Sequence, residues 1–160
     1  MDRRMNWNTN DNEFEHSLRL WLGVFFDGLS KEHIEETPTR FICAMKEMVA
    51  GVTQDPMSGL GVSYQSDGYD EMVRVDAVPF VSLCAHHFLP FTGHVWLAYV
   101  PKKKIVGLSK LVRLIGMISR RPQVQEKMTV ELANAVEKAL DPVGVAVMVR
   151  GIHMCMAARG

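Results

Sequence analysis

Hydrophobic residues recur every three or four positions in the first third of the chain, which predicts two amphipathic helices. The second helix is predicted to begin at Thr37 and Pro38, because threonine caps helices and proline suits the first helical position. Within it, Cys43 is expected to pack inward. The first helix, with Asn10 or Asp11 as its predicted cap, carries an apolar stripe of Phe14, Leu18, Trp21, Leu22, Phe25 and Leu29.

The rest of the chain predicts strands and helices in alternation. Residues rich in β-branched and aromatic side chains predict strands over 71–81 and 93–100, separated by the Cys-His segment and by Pro90, which is expected to break the pairing. The polar segment 51–69 is expected to be a loop. Two more helices are predicted, from Ser109 to just before Pro122 and over about 123–140. A last strand is predicted over 143 to about 158. This order predicts an α+β fold with an antiparallel sheet backed by helices.

Composition predicts one globular domain over the 160 residues, with a polar tail at 1–13. No run approaches the roughly 18 apolar residues of a membrane span, and the polar start of the chain lacks the apolar stretch of a secretory signal. A cytoplasmic location is therefore expected. Three cysteines are an odd number in a reducing compartment, which favours metal binding, catalysis or burial over a disulfide framework.

Charge is balanced overall but unevenly distributed. Lysine plus arginine equals aspartate plus glutamate at 18 each, which argues against a dedicated nucleic-acid binder. Residues 102–127 nevertheless carry eight basic side chains against Glu126 alone, a net charge of +7. Such a segment is typical of a site for a compact polyanion such as a nucleoside triphosphate, although a solvated basic face has the same composition.

Cys84 and His87 are separated by a spacing that a turn can fold around one tetrahedral ion. With Cys155 added from a distant strand, the set has three protein ligands and an open position, the pattern of a catalytic zinc. A structural zinc site would need a fourth ligand, for which His86, His94 and His153 are available. Spacing alone leaves both kinds of site open.

Strand alternation predicts that one face of the last strand carries chemistry. His153, Cys155 and Arg159 are expected on one face, and Ile152, Met154, Met156 and Ala158 on the other.

Two helix starts are further candidates for nucleotide binding. Ser109, Lys110 and Arg113 begin the third predicted helix, where free N–H groups and cations favour phosphate. Glu126, flanked by Gln125, begins the fourth and either binds a purine edge or simply favours the helix dipole.

Taken together, five segments resemble GTP cyclohydrolase I, and the resemblance covers roughly residues 14–160. They are TPTRF from Thr37, SLCAHHFLPF from Ser82, GLSKLVR from Gly107, RRPQVQEK from Arg120 and HMCMAARG from His153. The resemblance implies a tunnelling fold whose sheets assemble into a ring, with two rings commonly stacked as a homodecamer. It also implies conversion of GTP and water to 7,8-dihydroneopterin triphosphate and formate.

The same resemblance implies a role for each matching residue. Zinc, the implied cofactor, would be bound by Cys84, His87 and Cys155 and would lower the pKa of a water towards about 7 for attack at purine C8. His86 and His153 would be the acid/base histidines, and Ser109 would assist the sugar rearrangement. Glu126, with Gln125 beside it, would bind guanine. Contacts to the triphosphate are implied for Arg40, Lys110, Arg113 and Arg159.

Two departures from the family pattern bear on activity. Ala85 stands where the common family motif has glutamate, and the chain ends at Gly160, earlier than family members usually do. A non-catalytic nucleotide-binding or regulatory module on the same fold is therefore the alternative function, and a structural zinc protein is a third. The pathway that the product feeds (folate, another pterin or a deazaguanine) stays open.

Overall fold

The computed structural model describes residues 11–26, 28 and 30–160, and the chain forms two compact units, 1–47 and 48–160. Within the described part no helix has the length and apolarity needed to cross a membrane. The predicted cap Asn10 and stripe residue Leu29 lie outside the described residues.

The first unit contains helices α1 (Asp11–Phe25) and α2 (Lys31–Met48). The beginning of α1 lies beside the end of α2, so the pair is antiparallel. Leu22 and Ile42 are buried, whereas Trp21 and Phe25 of the predicted stripe are exposed. Contacts that join the helices are Asp11 with Lys46, Phe14 with Phe41, Glu15 with Thr39, and Arg19 with Glu35.

The predicted start of α2 at Thr37 is wrong. The helix begins at Lys31, where the hydroxyl of Ser30 accepts the N–H of His33 at 3.4 Å. Pro38 therefore lies inside the helix, where it removes one backbone hydrogen bond, but its ring is buried. The expectation for Cys43 is also wrong, since its side chain is exposed on this helix.

The second unit is a sheet with helices on one face. After a short 3₁₀ helix at Ala50–Thr53, its elements are α3 (Pro56–Leu60), β1 (Tyr64–Gln65), β2 (Val73–Cys84), β3 (Pro90–Val100), β4 (Lys104–Ile105), α4 (Leu108–Ser119), β5 (Pro122–Gln123), α5 (Gln125–Leu140), β6 (Gly144–His153) and α6 (Met154–Ala157). The predicted loop at 51–69 thus contains structure. Asp55 caps α3 by accepting the N–H of Met57 at 3.0 Å, and β1 pairs with β4.

The main sheet has the strand order β5-β2-β3-β6. Strands β2, β3 and β6 are antiparallel as predicted, but β5 pairs in parallel with the end of β2, opposite Leu83 and Cys84. The sheet is therefore mixed. The predicted fourth helix begins two residues later than expected, at Gln125, because Gln123 belongs to β5 and Val124 precedes the helix. The expectation that Pro90 breaks the pairing is wrong, because Pro90 pairs with Leu83 at the start of β3.

Helices α4 and α5 cover one face of this sheet because their apolar residues recur at helical spacing. Side chains of β6 alternate, and its exposed face carries Ala146, Met148, Arg150 and Ile152. Leu108, the first residue of α4, is 54% exposed. The fully covered helical residues are Leu111, Leu114, Ile115 and Ile118 of α4 and Met128, Leu132 and Val136 of α5.

Candidate active site

The turn that follows β2 carries the Cys-Ala-His-His segment. Cys84 closes it with two backbone bonds: its N–H donates to Leu89 O at 2.9 Å, and its C=O accepts from Phe88 N–H at 2.8 Å. Phe88 adopts a left-handed φ of 54°, which is uncommon for a residue with a side chain. His86 and His87 are exposed in this turn, whereas Cys84 is buried.

Cys155 follows the end of the edge strand β6 and reaches the same place. The sequence predicts a single strand with alternating side chains to about residue 158, and this prediction is wrong beyond His153. The chain coils into α6, and the N–H of Ala158 donates to Met154 O at 3.0 Å. The register that pairs Phe91 with His153 brings the start of α6 to the side of β3 near the turn.

The cluster of Cys84, His87 and Cys155 is the one group in the described chain with metal-binding geometry. Its three candidate ligand atoms all lie within 4.8 Å of one another, and no fourth His, Cys, Asp or Glu of residues 11–26, 28 and 30–160 joins them. A tetrahedral zinc ion, with bonds of about 2.0–2.3 Å, separates its ligands by about 3.5–3.8 Å. The 3.8 Å from Cys84 Sγ to His87 Nδ1 fits, as does the set of two thiols and an imidazole.

The two thiols have opposite acidities. The hydrogen bond from the His87 side chain, helped by His86, lowers the pKa of Cys84 to about 6, although burial opposes this. Burial and the neighbouring Cys84 raise the pKa of Cys155, and the positive charge of Arg159 offsets part of that rise. One thiol of the pair is therefore prepared as a thiolate at neutral pH, the form that binds metal.

His153, the last residue of β6, is held in one orientation at the end of the sheet that carries the cluster. Its ring stacks on Phe91 with centroids 4.6 Å apart and an interplanar angle of 6°. Its Nε2 lies 3.1 Å from Gln125 Oε1, and Gln125 Nε2 donates to Val149 O at 3.1 Å. Because that second bond assigns the amide orientation, Nε2 of His153 carries the proton and Nδ1 is the basic nitrogen.

Two residues of this arrangement escaped the sequence analysis. A Cβ on Gly151 would lie 2.7 Å from Gln125 Oε1, so the glycine makes room for the glutamine. Phe91 supplies the stacking surface. An isolated glycine inside a β-branched strand is a signal of close approach and identifies Gly151, whereas no sequence signal distinguishes Phe91 from an ordinary core residue.

The predicted phosphate residues lie at the start of α4. Ser109 and Arg113 are exposed and Lys110 is half-buried, with its Nζ only 3.0 Å from where a Cβ on Gly61 would lie. In the described chain, the side chains of Lys110 and Arg113 make no hydrogen bond or ion pair. No such contact joins Ser109, Lys110 or Arg113 to the cysteine and histidine cluster.

The remaining candidates are distributed over three elements. Glu126 is exposed in the first turn of α5, and Arg159 is exposed after α6 near Cys155. Arg40 lies on α2 in the first unit, where it pairs with Glu36. The structure thus brings together the three cluster residues and, separately, His153 with Gln125. Within residues 48–160, Glu126 makes no hydrogen bond or ion pair with either group.

Comparison with known proteins agrees with this geometry. The family model of GTP cyclohydrolase I matches residues 14–160. A GTP cyclohydrolase 1 of Sulfurihydrogenibium sp. is 42% identical over 149 residues, which are 93% of this chain and 78% of that protein. Its counterpart in Acetivibrio thermocellus is 44% identical over 88% of this chain and 75% of its own length. That of Synechococcus sp. is 45% identical over 81% of this chain, a match that spans only 57% of the relative. The chain belongs to the GTP cyclohydrolase I family.

Proposed function

We propose that this protein converts GTP and water to 7,8-dihydroneopterin triphosphate and formate, with zinc as its cofactor. The observation that carries the proposal is the three-ligand cluster of Cys84, His87 and Cys155 in a chain of this family. A zinc ion bound there would supply Lewis-acid chemistry and lower the pKa of a water to about 7. Three ligands favour this open kind of site over a closed structural one.

His153 is proposed as an acid/base group. Phe91 and Gln125 hold its ring, so its Nδ1 keeps one direction for accepting a proton from the substrate and returning it. Both ends of the Gln125 amide already contact the protein, which leaves one N–H for the guanine edge. Gln125 would therefore act chiefly by orienting His153.

His86 is proposed as the second acid/base group and Ser109 as the group that assists the sugar rearrangement. The Nδ1 of His86 lies 3.7 Å from Cys84 Sγ, and its exposed ring borders the cluster. Its position in the turn supports proton transfer to the purine ring next to the metal centre.

Substrate recognition is proposed for the remaining charged residues. Glu126 would accept the N–H donors of guanine, since an exposed carboxylate without an ionic partner in the described chain is available to a ligand. The cations Lys110, Arg113 and Arg159 would bind the triphosphate through charge-assisted hydrogen bonds. Arg40 is proposed for the same role from α2.

We further propose a ring-shaped homo-oligomer, commonly a decamer in this family, with the tunnelling fold and with each pocket completed by a neighbouring copy. The C-terminal end of α4 lies next to the metal turn, because Ile118 O accepts from Gln123 Nε2 and Gln123 pairs with Cys84. Ser109, nine residues before Ile118 on α4, is about 13.5 Å away along the helix axis. A second copy would bring the cations at the start of α4, Lys110 and Arg113, closer to the cluster. The single-domain organisation over 1–160 and the cytoplasmic location stay predictions.

Incubation of the zinc-loaded protein with GTP tests the activity directly. We expect a pterin chromophore and one formate per GTP. His86→Ala should bind zinc and GTP but lose turnover by about 10²- to 10⁴-fold. His94→Ala should retain turnover, because His94 is exposed on β3 and lies outside the cluster. Glu126→Ala should weaken GTP binding without changing ATP binding.

The same experiment separates the alternatives. A nucleotide-binding or regulatory module would bind GTP and release no formate, as Ala85 and the missing glutamate would explain. A structural zinc protein would bind metal and no triphosphate. Either outcome contradicts the proposed activity.

A further inference from the structure

Gln123 lies between the end of α4 and the strand end that carries Cys84. Its side chain is 4% exposed, and its Nε2 donates to Ile118 O at 2.7 Å and to Ser82 Oγ at 3.1 Å. Ser82 is also buried, and its hydroxyl donates onward to Arg121 O at 3.0 Å. The amide therefore begins a buried chain of hydrogen bonds that joins α4, β2 and the segment before β5.

The main chain of the same residue contacts the metal turn. Gln123 is the parallel partner of Cys84, and its C=O accepts the N–H of Ala85 at 3.1 Å. Side chain and backbone of one residue thus connect the helix end to the first two residues of the Cys-Ala-His-His turn.

The hydrogen-bond geometry fixes which way the amide points. Exchanging its nitrogen and oxygen would place Oε1 against Ile118 O, an unfavourable contact between two acceptors. In the observed orientation Gln123 Oε1 is buried without a partner in the described chain. Leaving that acceptor unpaired costs free energy, so the residue is a poor choice for packing alone and is better explained by what its N–H groups connect.

We propose that Gln123 is a positioning residue for Cys84. It holds the end of β2 and the turn against α4, so that Cys84 Sγ lies within reach of His87 and Cys155 before a metal ion arrives. This inference rests on the proposed function for its consequence, since the cluster matters only if it binds metal. Groups that orient metal ligands typically change metal affinity by ten- to a hundredfold when they are removed.

Gln123→Met tests the proposal, because methionine has nearly the same length but donates no hydrogen bond. Ser119→Ala is the matched control, because Ser119 is 2% exposed at the same end of α4 and its hydroxyl bonds, within residues 48–160, only to Gly116 O at 3.2 Å. The variant keeps the Ser119 C=O, which accepts from Gln123 Nε2 at 3.3 Å. The measurements are zinc affinity by chelator competition, the visible spectrum of the cobalt-loaded protein, and amide hydrogen exchange in the metal-free protein.

We expect Gln123→Met to weaken zinc binding ten- to a hundredfold and to alter the cobalt–thiolate absorption bands. It should also speed amide hydrogen exchange at Cys84, Ala85 and Phe88 about tenfold. Ser119→Ala should leave all three unchanged, although both variants lower the melting temperature. Zinc affinity, cobalt spectrum and exchange rates equal to those of the unmodified protein would overturn the proposal.

A further variant keeps the test decisive if Gln123→Met does not fold. Ser82→Ala removes one link of the chain and should shift the same readouts in the same direction by a smaller factor, and no shift overturns the proposal. Exchange rates need neither metal nor GTP. A failure of the unmodified protein to bind zinc or to release formate would therefore contradict the proposed function while the positioning role is still decided by exchange.

Discussion

His153 and Phe91 face each other across β6 and β3, and their rings stack at 4.6 Å. Phe91→Leu should free the imidazole and lower GTP turnover by roughly ten- to a hundredfold, because small displacements of a catalytic group are costly. The loss of core contacts should also cost about 1–3 kcal/mol of stability. Phe80→Leu is the control, since Phe80 packs edge-on against Phe91 with ring centroids 5.7 Å apart and, in the described chain, does not stack on His153. Equal turnover in the two variants would contradict the role of the stack.

The thiol of Cys84 should titrate with a midpoint near pH 6 in the metal-free protein, chiefly because of its hydrogen bond with His87. Between pH 6 and pH 9, the ordinary value, the folded protein then binds fewer protons than the unfolded chain, so stability should rise with pH across that window and the gain should vanish as pH falls through 6. Thiolate absorbance at 240 nm measures the midpoint. The step should disappear in Cys84→Ser and move to higher pH in His87→Ala; its persistence in Cys84→Ser would assign it to another group.

Cys155→Ser should lose both zinc and GTP turnover, since two ligands no longer make a complete site. Elemental analysis of the purified variant measures the metal. Cys43→Ser provides the control, because that thiol is exposed on α2 and outside the cluster. Full zinc occupancy in Cys155→Ser would remove Cys155 from the set of ligands.

Two glycines of the sheet should respond differently to alanine. In Gly93→Ala the new Cβ would lie 1.8 Å from Arg150 O, a backbone atom, so the β3–β6 pairing should break at a cost on the order of 3 kcal/mol or more. In Gly151→Ala the nearest obstacle is the side chain of Gln125 at 2.7 Å, which can move. The protein should then fold but turn over GTP more slowly, as His153 loses its partner. Urea unfolding and steady-state kinetics measure the two effects, and a folded, fully active Gly151→Ala would show that Gln125 does not orient His153.

Mixed assemblies should show whether neighbouring copies share pockets. Arg113→Ala and His87→Ala, each inactive alone, should recover activity when they are unfolded and reassembled together, and roughly a quarter of two-chain sites should have both contributions intact. His87→Ala mixed with Cys155→Ser is the control, because both changes affect the same cluster and no intact site can form. Mixed assemblies without recovered turnover would mean that each pocket is contained in one chain.

The sequence by itself determined α4 and α5 of the second unit, its three long strands and the identity of the metal-binding candidates. Apolar spacing predicted α4 and α5 because each buries a stripe against the sheet, with Leu111 and Leu132 fully covered. The sequence predicted the first unit less well. Thr37 and Pro38 indicated the start of α2, but the helix begins at Lys31, where Ser30 caps it.

Tertiary structure alone decided how the site is assembled. Alternation is a local rule, so it assigned Cys155 to a strand face, whereas the Phe91–His153 register and the turn of α6 bring its thiol to Cys84. The parallel pairing of Gln123 with Cys84 and the lowered pKa of Cys84 likewise depend on residues far apart in the chain or on the fold of a turn. Ligand chemistry belongs to residue type, which sequence contains, but distances between ligands depend on long-range packing, which local patterns do not specify.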